Sequence, residues 1–126
     1  MPVKKILVID DEENFGRAIK KALELRGTFQ VFTATKGTEG IRLAKTQKPD
    51  MILLDIMMPD MAGTYVAEEL SEDPVTASIP IVFVTAIISK EEIKKTDGVA
   101  GGRNFIAKPI VMDELVKKIN AIVSHV

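Results

Sequence analysis

Three runs of consecutive apolar residues, Ile6-Leu7-Val8-Ile9, Met51-Ile52-Leu53-Leu54 and Ile81-Val82-Phe83-Val84, constrain this chain more than any other feature. A strand with one wet face alternates apolar and polar residues. A short run that is apolar at every position is instead suited to burial on both faces, as in the middle of a parallel sheet covered by helices. Phe29-Gln30-Val31-Phe32-Thr33 is more mixed and suits an edge strand, as does the short Asn104-Phe105-Ile106-Ala107. Helical patterns lie between them. Phe15, Ala18, Ile19, Ala22 and Leu23 form one apolar stripe closed by Gly27, and Leu115, Ile119, Ile122 and Val123 form the last. Shorter patterns surround Ile41 to Ala44 and Val66 to Leu70, and Ser89-Lys90-Glu91-Glu92 reads as a capping box that opens a further helix. Strict alternation of strand and helix predicts a doubly wound α/β sandwich with right-handed crossovers, whose ligands bind beyond the carboxyl ends of the strands.

The residues at those carboxyl ends are the chemically informative ones: Asp10-Asp11-Glu12, then Asp55, then Thr85, then Lys108-Pro109. Carboxylates there would hold a hard divalent cation or attack phosphorus, a hydroxyl would bind a phosphoryl oxygen, and a lysine would neutralise the arriving charge. Composition narrows the classes further. A chain of 126 residues is expected to form a single domain, residues 1–126, around one core. With no cysteine it has no disulfide, thiolate nucleophile or sulfur-ligated metal. Its 17 Lys and Arg balance 18 Asp and Glu, and its four Lys-Lys doublets are spread along the chain, so nothing argues for direct contact with nucleic acid. The longest apolar stretch, Ile79 to Ile88, is broken by Pro80 and Thr85 and falls short of the ~20 residues of a membrane helix.

The order Val8-Ile9-Asp10-Asp11-Glu12, Leu53-Leu54-Asp55-Ile56-Met57-Met58-Pro59 with Gly63, Val84-Thr85-Ala86, and Phe105-Ile106-Ala107-Lys108-Pro109 resembles the receiver domain of bacterial two-component response regulators. The likeness runs from Lys4 to about Val123. It implies a flavodoxin-like (βα)5 three-layer sandwich with strand order 2-1-3-4-5, which places the two less apolar strands at the sheet edges. The composition of the strands points independently to the same placement.

The resemblance implies a role for each residue. Asp55 is similar to the family's phosphoacceptor, whose carboxylate attacks a phosphohistidine or small phosphodonor and becomes an acyl phosphate. Asp10 and Asp11 resemble the acidic pair that holds Mg²⁺ (or Mn²⁺), with Asp55 and the backbone carbonyl of Met57 as further ligands. Thr85 and the backbone N–H of Ala86 match the groups that meet a phosphoryl oxygen, and Met57 also lies beside the phosphoryl position. Lys108 matches the point charge that reaches it, and the Lys108-Pro109 bond is cis in this family. Phe105 corresponds to the aromatic whose rotamer follows phosphorylation, switching together with Thr85. Met57 and Ile87 flank the path of the hydrolytic water, and both are apolar. Each residue also has a plain reading alone: a turn-starting carboxylate at Asp55, a helix cap at Asp10-Asp11, a surface lysine, ordinary core packing at Phe105. Glu12 and Glu13 read as first-turn helix charges rather than ligands.

The family likeness implies a cytoplasmic phosphoacceptor, not an enzyme acting on other substrates. Its partners would be a sensor histidine kinase or histidine phosphotransfer protein and a downstream protein target, with the domain a monomer or a phosphorylation-dependent dimer. A receiver-like interaction module that is never phosphorylated would be expected to lack the acidic pair, Asp55 or Lys108. A phosphatase of the haloacid dehalogenase type would need D-x-D where Asp55-Ile56-Met57 stands, and a flavodoxin would need a glycine- and hydroxyl-rich phosphate loop where Asp11-Glu12-Glu13 stands. The chain departs from the family between the fourth and fifth strands. Asp97-Gly98-Val99-Ala100-Gly101-Gly102 carries three glycines, each costing up to ~1 kcal/mol inside a helix, so the helix from Ser89 to Lys95 is expected to be short or frayed.

Overall fold

The computed structural model describes residues 3–86, 99–100 and 103–123. The elements run β1 (Lys4–Ile9), α1 (Glu13–Glu24), β2 (Phe29–Ala34), α2 (Gly37–Gln47), β3 (Met51–Asp55), α3 (Gly63–Glu72), β4 (Ile81–Thr85), β5 (Val99–Ala100), β6 (Arg103–Ala107) and α4 (Met112–Ile122). The sheet order is β2-β1-β3-β4-β6-β5. Without β5, the five remaining strands are all parallel and lie in the expected order 2-1-3-4-5.

The fully apolar strand runs are explained by the two cores. Ile6, Val8, Met51, Leu53, Val82 and Val84 face α1 and α4, where they meet Ile19, Leu23, Leu115 and Ile119. Their neighbours Leu7, Ile9, Ile52, Leu54 and Phe83 face α2 and α3, where they meet Ala44, Val66, Ala67 and Leu70. Successive side chains of one strand therefore enter different cores, and no position on β1, β3 or β4 is left for a polar residue except near the ends. Gly27, at φ 80°, lies just beyond α1, where a left-handed residue turns the chain toward β2. After α3 the chain is pinned by Thr76, whose fully buried hydroxyl donates to the Leu70 carbonyl at 2.6 Å.

Phe29 to Ala34 forms an edge, as its mixed composition indicated. Asn104 to Ala107 does not lie at the other edge, because β5 pairs with it antiparallel, Val99 opposite Asn104 and Ala100 opposite Arg103. The expected helix from Ser89 to Lys95 lies outside the described residues, as do Ile87, Gly98, Gly101, Gly102 and His125. At the β2 edge, the backbone groups of Val31 point away from β1 and are met by side chains of α1. Glu24 accepts from the Val31 N–H at 3.0 Å, Lys20 donates to its carbonyl at 2.9 Å, and the two side chains pair at 3.6 Å.

Candidate functional site

The carboxyl ends of β1, β3, β4 and β6 lie side by side, so the parallel register brings together residues far apart in sequence. Asp55 closes β3 beside Val84, and Thr85 closes β4 beside Ala107. Asp10 follows β1 directly, and its backbone N–H donates to the Ala34 carbonyl at the end of β2. Asp10, Asp55 and Thr85 are 2, 5 and 0% exposed. Such burial is costly for polar groups unless they are paired, so their positions need partners. Asp10 Oδ1 accepts from the Glu12 N–H at 2.9 Å, and Asp55 Oδ1 accepts from the Met57 N–H at 3.2 Å. Each carboxylate is thus oriented by a turn that starts at its own residue.

Lys108 enters from the end of β6, its backbone N–H bonded to the Thr85 carbonyl at 3.1 Å and its bond to Pro109 cis. Its ammonium lies 2.8 Å from Asp10 Oδ2, 3.2 Å from Glu12 Oε1 and 3.9 Å from Asp55 Oδ2. Burial alone would lower the lysine pKa, but the adjoining Asp10, Glu12 and Asp55 more than offset it, and Lys108 is held firmly protonated. The Asp55 pKa is raised as well, from 3.8 up to about 6, which for a carboxyl favours the neutral form. Burial is the main cause and the Asp10 charge adds to it, against the opposing pull of Lys108 and the Met57 N–H.

Gly63 explains how the chain after Asp55 can turn so tightly. Its N–H donates to the Ile56 carbonyl at 2.9 Å, and a Cβ placed there would stand 2.1 Å from the Asp55 carbonyl oxygen. The same loop reaches α2 through Asp60, which accepts from the Gly37 N–H at 3.3 Å.

The family model for the response regulator receiver domain matches residues 6–120, nearly the whole described chain. The chain belongs to the response regulator receiver domains. Protein PilH of Pseudomonas aeruginosa is 35% identical over 121 residues, covering 95% of this chain and 98% of PilH. The alkaline phosphatase synthesis transcriptional regulatory protein PhoP of Bacillus subtilis is 37% identical over 120 residues, but the match covers only 48% of PhoP. Among solved structures, a CheY-like receiver domain protein from Methanospirillum hungatei superposes with TM-score 0.80 at 28% identity, covering 97% of this chain and 94% of its own. A response regulator from Desulfuromonas acetoxidans gives 0.79 at 27%, covering 96 and 97%. The flavodoxin-like sandwich and a place in two-component signalling follow from this membership.

Within the receiver, the donor set fits a hard divalent cation. Ligand atoms of Asp10, Asp11 and Asp55 all lie within 4.8 Å of one another, and Asp10 Oδ2 is shielded from water with no hydrogen-bond partner among the described residues beyond its ion pair. Unit charges ~5 Å apart repel by about 3 kcal/mol at an effective dielectric of 20, and solvent at exposed Asp11 reduces this. Asp11→Ala is therefore expected to raise metal-free stability by about 1 kcal/mol while weakening Mg²⁺ binding. Denaturant melts with chelator and a calorimetric Mg²⁺ titration test both halves, and an unchanged or lower midpoint would give Asp11 a structural role instead.

Met57 is 64% exposed, whereas Met58 is buried in the core against α2 and α3. Phe105 is half-buried, with its ring 5.4 Å from that of Phe83 at 30°. Two residues at the site were read otherwise from the sequence. Glu12, taken as a helix charge, bonds Lys108, while Glu13 does pair with Arg17 one turn along α1. Phe15, taken as part of the α1 stripe, has its ring centroid 4.4 Å from Lys108 Nζ.

Proposed function

We propose that this receiver accepts a phosphoryl group on Asp55, from a histidine kinase or histidine phosphotransfer protein, and thereby switches a contact with a downstream protein. The observation that carries the reading is the convergence of ligand atoms of Asp10, Asp11 and Asp55 within 4.8 Å of one another, with Lys108 Nζ 3.9 Å from Asp55. Asp10, Asp11, Asp55 and the Met57 carbonyl would hold Mg²⁺ or Mn²⁺, which neutralises charge on the phosphoryl oxygens. An Asp55 oxygen attacks phosphorus in line, an O–P bond forms, and the donor's P–N or P–O bond breaks as its electron pair leaves with the donor. Lys108 meets the new negative charge with a fixed positive one, and Thr85 with the Ala86 N–H takes a phosphoryl oxygen. Thr85 ends β4, and Phe105 lies on the neighbouring strand β6 opposite Phe83, two residues before Thr85; the two side chains would relay the change to the surface.

An apolar groove of about 600 Å³ adjoins Lys108 and is lined by Phe15, Ala18, Ile19, Ala22, Ile110 and Met112, among others. Its chemistry suits the apolar side of a helix that presents phosphohistidine to Asp55. No described helix is long and apolar enough to cross a membrane, in keeping with action in the cytoplasm. Given Mg²⁺ and a small phosphodonor, the protein is expected to gain one phosphoryl group, mapped by mass spectrometry of the intact chain and its peptides to Asp55. Incorporation elsewhere, or incorporation indifferent to chelator, would overturn the reading.

The acyl phosphate is expected to be long-lived. Met57 presents an apolar side chain that orients no water, and Ile87, outside the described residues, has the same character. The double change Met57→Asn with Ile87→Glu is expected to speed hydrolysis about tenfold, or ~1.4 kcal/mol off the barrier. Equal decay rates in the two proteins would show that these side chains do not govern water access.

A further inference from the structure

We infer that Phe15 is a positioning residue for Lys108, its ring face holding the ammonium within reach of a phosphoryl group on Asp55. The inference deepens the phosphoacceptor reading and rests on it. Lys108 Nζ stands 4.4 Å from the centre of the Phe15 ring, at cation–π distance. Phe15 belongs to the first turn of α1 and packs, partly buried, on the core between the sheet, α1 and α4, so a rigid element fixes the ring. Glu12 lies three residues earlier, on the same side of the helix start, and supplies the hydrogen bond to Nζ at 3.2 Å.

The two kinds of contact differ in what they leave available. An ammonium has three N–H donors, and the carboxylates of Asp10 and Glu12 at 2.8 and 3.2 Å engage at most two of them. Each is also a full negative charge that an incoming phosphoryl group must compete with. The ring attracts the cation through its quadrupole, neutralises none of its charge and consumes no donor. Asp55 Oδ2, at 3.9 Å, lies just beyond hydrogen-bond length, so a modest movement of the lysine side chain brings Nζ to an oxygen bonded to that carboxylate. Phe15 thus keeps Lys108 near its working position.

Two variants test this. Phe15→Leu keeps apolar bulk and removes the π face, and Phe15→Tyr keeps the face. In metal-free protein, the Lys108 methylene protons next to Nζ are expected upfield in proton NMR from the ring current, a shift lost in Phe15→Leu and kept in Phe15→Tyr. In Mg²⁺, beryllofluoride, which imitates the phosphoryl group, is expected to bind Phe15→Leu about fivefold more weakly, with Phe15→Tyr restored to within about twofold and Mg²⁺ affinity unchanged in both. Wild-type affinity in Phe15→Leu, a tyrosine variant as weak as the leucine one, or no ring-current shift in the parent overturns the positioning role alone. A parent that takes up no beryllofluoride overturns the phosphoacceptor reading, and the positioning role with it.

Discussion

Asp55→Asn is expected to take up no phosphoryl group and, with metal chelated, to be more stable than its parent by about 2 kcal/mol at pH 7.5. The asparagine is isosteric and still accepts the Met57 N–H, so the gain isolates the cost of the buried charge. Asp55 titrates near 6 in the fold, above its ordinary 3.8, chiefly through burial. Between those pH values the folded chain keeps a proton that the unfolded chain has released. Metal-free stability contributed by this group therefore falls as pH rises from about 4 through 6 and is fully lost above that. The full displacement corresponds to about 3 kcal/mol, which water and counter-ions at the open rim reduce to ~2. Urea melts at pH 4.5 and 7.5 with chelator check it: the advantage of Asp55→Asn is expected to be large at the higher pH and small at the lower. A gain of the same size at both would assign it to packing. Mg²⁺ should shrink or invert the difference, since it rewards the carboxylate alone.

Gly63→Ala is expected to cost about 3 kcal/mol or more, a large part of the ~5–15 kcal/mol that holds a domain of this size. The added methyl would meet the Asp55 carbonyl oxygen at 2.1 Å and the Ile56 Cα at 2.8 Å, both backbone atoms at the end of β3. Relief would require displacing the segment that orients Asp55 itself, so phosphoryl uptake should fall together with stability. Gly40→Ala gives the comparison. There the methyl would meet only side-chain atoms, Ile9 Cδ1 at 2.5 Å and Cγ1 at 2.7 Å, so the buried isoleucine must repack while the backbone stays in place, and a smaller cost of about 2 kcal/mol is expected. Denaturant midpoints of the two variants decide the matter, and equal costs would show that the loop after Asp55 yields as easily as a side chain.

What was legible in the sequence follows from how local its causes are. The central strands announce themselves because double-sided burial excludes polar residues along consecutive positions, as at Ile52 to Leu54. The rim carboxylates were legible because each directly ends such a run. β5 was not foreseen because glycines near Asp97 were weighed as weakness in a helix. Gly101-Gly102 between Ala100 and Arg103 is also a two-residue hairpin signal in the sequence, and the flanking Ala100 and Arg103 do pair antiparallel. The roles of Glu12 and Phe15 at Lys108 were hidden for a different reason. Their contacts span more than ninety residues, and helix periodicity explains both positions adequately without them. Gly63 stood in the sequence motif, but only the approach of the Asp55 backbone shows why a side chain there is excluded.

The closure of Val31 by Lys20 and Glu24 has a consequence for self-association. An outer strand with free amides and carbonyls is a template on which another chain can crystallise as an added strand, and here the midpoint of that template is occupied by a helix's own side chains. Stacking of copies through this edge would first have to break two hydrogen bonds and an ion pair, so solubility at high concentration is defended from α1 rather than from the strand. The Val31 amide should accordingly exchange with deuterium slowly for an edge position, and Glu24→Ala should both free it and lower the concentration at which the protein begins to aggregate.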